Sequence, residues 1–143
     1  MDRLSVEPQA LFVYGSLLFP EVLRTLIDRV PESSPAAVEG WRIAALPNRV
    51  YPVLVPAEAI AHGRLITDLN PAEWRTIDAF EDRVYELRRL NLTDSRYGWA
   101  YATEDVTSAL PEDWDKEVFA TRELSTYIVR CSAWRTRYEA SQS

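Results

Sequence analysis

The sequence predicts an α+β fold: a mixed, barrel-like β-sheet flanked by helices and closed by a long C-terminal helix. Short β-favouring runs separated by Gly, Pro and Asn turns recur between residues 10 and 103. They do not alternate with helices as regular βαβ units, which argues against a doubly wound parallel sheet. From about Lys116 to Ala140, the residues Leu124, Tyr127, Ile128, Cys131, Trp134 and Tyr138 recur every three or four positions, the apolar stripe of one helix laid on a sheet. No internal repeat or low-complexity tract is present.

Taken in order, Ala10–Tyr14 (ALFVY) reads as a buried strand that stops at Gly15. Pro20 suits a helix first turn, and Val22, Leu23, Leu26 and Ile27 extend a short helix to about Asp28. The stretch Val30–Pro35 is a turn-rich connector, too short to divide domains. Three strands are then expected, at Ala36–Leu46, Val50–Val55 and Gly63–Thr67, separated by Pro47-Asn48 and by Pro56–Ala61. Pro52 cannot donate to a ladder, which sends its strand to an edge or a bulge. Asn70, Pro71 and Glu73 form an N-cap, a first-turn proline and the third position of a capping box, so a helix runs from Pro71 to about Phe80 with Trp74 and Ile77 inward. Val84–Thr93 and Trp99–Thr103 pair as a hairpin about the Asp94–Gly98 turn.

With 143 residues, 47% of them hydrophobic and 27% charged, the chain is expected to form one globular domain, 1–143, with a real core. A net charge of -6 disfavours a nucleic-acid partner, since such affinity rests on Lys and Arg neutralising phosphates. No apolar run reaches the ~20 residues of a membrane span, and the opening MDRLSVEPQA has no signal-peptide pattern, so no membrane partner is expected and the location is read as cytoplasmic. One cysteine, Cys131, and one histidine, His62, exclude an internal disulfide and give no Cys- or His-rich metal site, so no such metal site is expected. Cys131 lies on the apolar stripe as a small hydrophobe, and His62 is read as a loop residue before Gly63, which speaks against a Cys–His nucleophile pair.

Two segments carry chemistry. Tyr14-Gly15-Ser16-Leu17 runs from a strand into a glycine turn before a helix, where successive N–H groups suit an anion or an oxyanion; an ordinary strand-to-helix turn reads the same way. It has neither the P-loop nor the nucleophile-elbow spacing. Asp78, Glu81 and Asp82 crowd the C-terminal end of a helix, where the macrodipole disfavours carboxylates. Like charges, the dipole and burial would each raise a pKa there and make a proton shuttle; three solvated acids at a surface turn fit the same letters.

VYGSLL at Val13–Leu18, RVYPVLVP at Arg49–Pro56 and IDAFEDRVYELRR at Ile77–Arg89, followed by WAYAT at Trp99–Thr103 and the terminal helix, stand in the order and spacing of one family. Together they resemble the AIG2-like branch of the γ-glutamylcyclotransferase-like family. The resemblance implies a mixed β-barrel with a cavity between the YGSL loop and the acidic helix end. It also implies a cofactor-independent acyltransferase or lyase that acts on a small γ-glutamyl molecule. On this likeness the backbone of Tyr14, Gly15, Ser16 and Leu17 holds the γ-glutamyl part, Glu81 is the acid/base, and Tyr85 offers a pocket hydroxyl. Asp82 stands where the family often has glycine. The expected reaction closes the γ-glutamyl group to 5-oxoproline and frees an amine or amino acid. A non-catalytic module binding a small metabolite or peptide end in the same cavity is the alternative.

Overall fold

The computed structural model describes residues 2–142; Met1 and Ser143, the ends of the expected 1–143 domain, lie outside the described residues. Five strands form one mixed sheet: β1 (Leu11–Val13), β2 (Ser33–Ala45), β3 (Pro52–Ile66), β4 (Glu86–Asn91) and β5 (Tyr97–Ala102), in the order β2-β3-β1-β5-β4. β1 lies antiparallel to β3 and parallel to β5, at the centre of the sheet, as its wholly apolar LFV requires. The edges are drawn together: the Thr93 N–H donates to the Ala37 carbonyl at 2.9 Å, and Arg96 Nη2 donates to the Pro35 carbonyl at 2.7 Å. β3 also touches β5 directly at Leu54↔Ala102, so the sheet curls toward a barrel.

Three features differ from expectation. The two runs expected on either side of Pro56–Ala61 are one strand, because β2 pairs with β3 through that stretch from Ala37↔His62 to Glu39↔Ile60. A bulge between Glu39 and Trp41, with Gly40 at φ +90°, lies beside Pro56, where the ladder lacks an N–H. β2 likewise begins at Ser33, inside the expected connector. Pro52 is the first residue of an interior strand, a position where a missing N–H is tolerated, so the edge assignment is corrected. The β4–β5 hairpin forms as expected, with its turn a few residues earlier than drawn.

Alternation along β1 sends Phe12 to one face, with Val38, Leu54, Leu65 and Leu90, and Leu11 and Val13 to the other. The second face is covered by helices. α1 (Pro20–Ile27) buries Val22, Leu23, Leu26 and Ile27 there, and α2 (Pro71–Phe80) buries Trp74 and Ile77. The terminal helix is α-helical over Lys116–Val118, π-helical over Phe119–Glu123 and α-helical again over Leu124–Gln142. Phe119, Tyr127 and Cys131 are its buried residues; Ile128 and Trp134 pack at the margin. Among the described residues, no helix is long and apolar enough to cross a membrane.

Candidate functional site

A cavity of about 340 Å³ opens between residues 14–17, the C-terminal end of α2 and the terminal helix. The chain leaves β1 and turns at Gly15 into a 3-10 turn, Ser16–Leu18. A Cβ at position 15 would stand 2.7 Å from Pro52 Cγ, so glycine is required by close approach to the start of β3. That approach brings the YGSL and YPVL segments together. Among the described residues, no hydrogen bond occupies the N–H groups of Gly15, Ser16 or Leu17, and all three residues line the cavity. These are the orphan donors of a helical first turn. The Ser16 hydroxyl lies 3.2 Å from the Tyr127 hydroxyl of the terminal helix.

Opposite the loop stands Glu81. It caps the C-terminus of α2, its N–H donating to the Ile77 carbonyl at 3.0 Å before the backbone turns extended. Among the described residues, its carboxyl has no hydrogen-bond or ion-pair partner. Burial raises its pKa to about 8; Arg3 opposes the rise, and Asp78 and Asp82 add to it. The residue keeps some exposure because it faces the cavity, yet protein surrounds the carboxyl closely enough for burial to dominate.

The neighbouring acids are engaged, so the cluster is not a solvated surface turn. Asp78 Oδ1 forms an ion pair with Arg3 Nε at 3.0 Å and accepts from the Tyr101 hydroxyl at 2.8 Å. Asp82 accepts from the Tyr51 hydroxyl at 2.5 Å, from Arg49 Nε at 3.3 Å and from the Val84 N–H at 3.0 Å. Burial pulls the Asp82 pKa upward, but those three bonds outweigh it and hold the group below the usual carboxylate value. Asp82 therefore makes a side-chain-supported turn.

Tyrosines fill the walls. The Tyr14 hydroxyl donates to the Tyr101 carbonyl and the Tyr85 hydroxyl to the Pro52 carbonyl, and burial raises both pKa values well above the ordinary one. The Tyr85 proton is thus committed to the backbone, and only its oxygen lone pairs are left for the cavity. Burial, followed by Asp82, pushes Tyr51 up to about 12. Cys131 lines the cavity with its thiol pushed up to about 12 by burial, while His62 is exposed on β3 rather than in a loop. The two form no pair. No group of three or more His, Cys, Asp or Glu among the described residues is placed to hold a metal ion.

The structure therefore gathers Tyr14, Gly15, Ser16, Leu17, Glu81 and Tyr85 around one cavity. Sequence reasoning missed Arg3, Tyr51, Tyr101, and the Arg130, Trp134 and Arg137 face of the terminal helix. One signal was available: α2 ends in acids with no basic residue in its last turn, so a cation had to come from elsewhere.

Residues 11–117 match the profile of the family described as gamma-glutamyl cyclotransferase, AIG2-like. AIG2-like protein D of Arabidopsis thaliana is 33% identical over 94 residues, 64% of this chain and 62% of that protein. The alignments span about half to three-fifths of the length of the first curated relatives. A solution structure of an Arabidopsis thaliana protein superposes with a TM-score of 0.63 at 24% identity, covering 94% of this chain and 84% of that one. A structure titled gamma-glutamyl cyclotransferase superposes with a TM-score of 0.53 at 9% identity, covering 87% and 86%. At these identities the structural likeness concerns the fold.

Proposed function

The chain belongs to the gamma-glutamyl cyclotransferase, AIG2-like family, and we propose that it closes the γ-glutamyl part of a small substrate to 5-oxoproline, releasing an amine or amino acid. One observation carries the reading: a partnerless carboxyl with its pKa near 8 stands across a small cavity from three unoccupied backbone N–H groups. A volume of about 340 Å³ suits a small ligand.

Ionised Glu81 removes a proton from the substrate's α-ammonium group. The freed amine attacks the γ-carbonyl carbon of the same molecule, a C–N bond forms, and the carbonyl electrons move onto oxygen. The N–H groups of residues 15–17 stabilise that oxyanion or grip the α-carboxylate. Glu81 gives its proton to the leaving nitrogen, whose bond to carbon breaks as the tetrahedral centre collapses; the ring nitrogen, still carrying two hydrogens and a positive charge, then yields one to the restored carboxylate, which passes it to the freed amine. Raising the carboxyl pKa to about 8 brings it toward that of an ammonium group, so the proton transfer is far less uphill. An ordinary surface glutamate would be too weak a base by several powers of ten. Nucleophile and electrophile share one molecule, so holding the folded conformer supplies much of the acceleration, and the scheme calls for neither metal nor cofactor.

The test is a panel of γ-glutamyl compounds: glutathione, γ-glutamyl amino acids, γ-glutamyl amines, a lysine isopeptide and a γ-glutamyl-protected amine. Wild type releases 5-oxoproline and amine in equal amounts from at least one, and Glu81→Gln lowers kcat by about 10³-fold or more without loss of fold. Near-normal turnover by the Gln protein refutes the mechanism. Binding across the panel without any 5-oxoproline would establish a binding module instead.

A further inference from the structure

The C-terminal end of α2 gathers Asp78, Glu81 and Asp82 at the negative pole of the helix, and its own last turn supplies no cation. Arg3 supplies one from the other end of the sequence. It belongs to a 3-10 turn, Arg3–Val6, whose N-cap Asp2 accepts from the Leu4 N–H at 2.9 Å, and it lies outside the residues that match the family profile.

A guanidinium has five N–H donors in a rigid fork. Four backbone carbonyls and one carboxylate surround it here. Nη2 reaches the Asp78 carbonyl at 2.7 Å and the Glu81 carbonyl at 3.2 Å. Nη1 donates to the Asp82 carbonyl at 3.0 Å and the Tyr85 carbonyl at 3.1 Å, and Nε forms an ion pair with Asp78 Oδ1 at 3.0 Å. Four of these acceptors are backbone carbonyls of the segment that carries Glu81 out of the helix and into the turn before β4. The fifth is a carboxylate also held by Tyr101, whose ring lies 5.1 Å from the guanidinium carbon. At 18% side-chain exposure, Arg3 is largely withdrawn from water, so its charge is weakly screened.

We propose that Arg3 is a positioning residue for Glu81: it fixes the backbone of residues 78–85 that aims the carboxyl into the cavity, and it holds a positive charge beside the base. This rests on the proposed role of Glu81. A cap that merely stabilised the helix end would leave the titration of Glu81 untouched, and that separates the two cases. The other groups facing Glu81 are Asp78 on α2, Asp82 in the following turn, and Tyr14, Tyr85, Tyr101, Tyr127 and Cys131 on the surrounding elements. None of these is a cation; Arg49 is tied to Asp82, and Arg130 and Arg137 line the same cavity from the exposed face of the terminal helix. Arg3 is the cation whose charge opposes burial at Glu81, and it is withdrawn from water where those two arginines are exposed. Without it the protonated form of Glu81 gains, its titration moves alkaline, and the ionised fraction at pH 7 falls.

The experiment follows the 13Cδ signal of Glu81, assigned by its loss in Glu81→Gln, through a pH titration of wild type, Arg3→Met and Arg3→Lys in the full chain. In Arg3→Met the midpoint should rise by about 0.5–1 on the pH scale, and the rising acid limb of kcat/KM should move with it. Arg3→Lys keeps the charge without the fork, so its midpoint should stay within about 0.3 of wild type while kcat falls several-fold. Folded Arg3→Met titrating as wild type would overturn the electrostatic half. Should Arg3→Met fail to fold, Arg3→Lys decides: amide signals of residues 78–85 unmoved from wild type overturn the positioning half. A wild type that makes no 5-oxoproline from any substrate sinks the catalytic reading alone, because the carboxyl titration still decides the part played by Arg3.

Discussion

Helix α2 carries a functional contrast between its two ends. At the N-terminal end, Glu73 accepts from the Asn70 N–H at 3.0 Å in a reciprocal capping box, and from Arg29 at 2.6 and 2.7 Å in a bidentate pair. The Arg29 bonds hold its pKa below the ordinary value against the upward pull of burial. At the C-terminal end, the Glu81 carboxyl faces the cavity, has no partner among the described residues, and has its pKa raised to about 8 by burial. Two glutamates eight positions apart thus differ in what has been provided for their charge. Glu73 sits at the positive pole of the dipole with a cation in hand. Glu81 sits at the negative pole facing an open cavity, a poor place for a charge and a good one for a proton carrier.

The largest test of this contrast is stability against pH. For Glu81 the folded pKa lies above the unfolded one, so the native state binds more protons between about pH 4.5 and 8, and stability falls as pH rises through that window. Glu81→Gln removes the penalty. It should leave stability near wild type below pH 4.5 and raise it progressively above, by up to about 4 kcal/mol beyond pH 8 once cavity water is allowed for. Urea unfolding at pH 4.5, 6.5 and 8.5 reads this directly. A pH-independent difference between the two proteins would place Glu81 in water and remove the contrast.

Glu73→Gln should show the opposite sign. Glutamine keeps the third position of the capping box but loses the charge that Arg29 meets. Stability should drop by about 1–2 kcal/mol at pH 7, a modest figure because the Arg29 side chain is 39% exposed and the pair is partly screened. A lowered folded pKa contributes stability only above the unfolded pKa, so the two proteins should converge as pH falls below about 4. The rate of 5-oxoproline release should not change. A loss of turnover in a stably folded Glu73→Gln would show that the two ends are coupled.

The same contrast explains what could be read from the letters. Asn70, Pro71 and Glu73 announce their end of α2 because a capping box is made by residues three apart, and the structure reproduces it atom for atom. The β1 strand, the β4–β5 hairpin and the terminal stripe were legible for the same local reason. The other end of α2 depends on groups far away in sequence: Arg3 from the N-terminal turn, Tyr51 and Arg49 before β3, Tyr101 on β5. Family resemblance pointed to Glu81, but no spacing could show that Asp78 and Asp82 are satisfied while Glu81 is not. The long β2–β3 ladder was missed because Pro52 and Pro56 look like breakers. One opens the strand and the other lies beside a bulge, where a missing N–H is harmless.

The smallest expected effect concerns the terminal-helix side of the cavity. Arg130, Trp134 and Arg137 lie on one face of the terminal helix and line the cavity, and among the described residues neither arginine forms an ion pair. In the proposed reaction Glu81 engages the ammonium end of a γ-glutamyl group, which leaves these cations to meet an anionic group that the substrate presents at the rim. Exposed charges are worth about 0.2–1 kcal/mol each, which amounts to a few-fold to roughly tenfold for the pair. Arg130→Met combined with Arg137→Met should therefore lower kcat/KM by about that factor for a γ-glutamyl amino acid with a free carboxylate, mainly through KM. The matched γ-glutamyl amino-acid amide should be affected less, and added salt should shrink the difference. Equal losses on acid and amide would mean that the arginines grip the γ-glutamyl α-carboxylate common to both, and would move the binding contact for that group from the loop amides to the terminal helix.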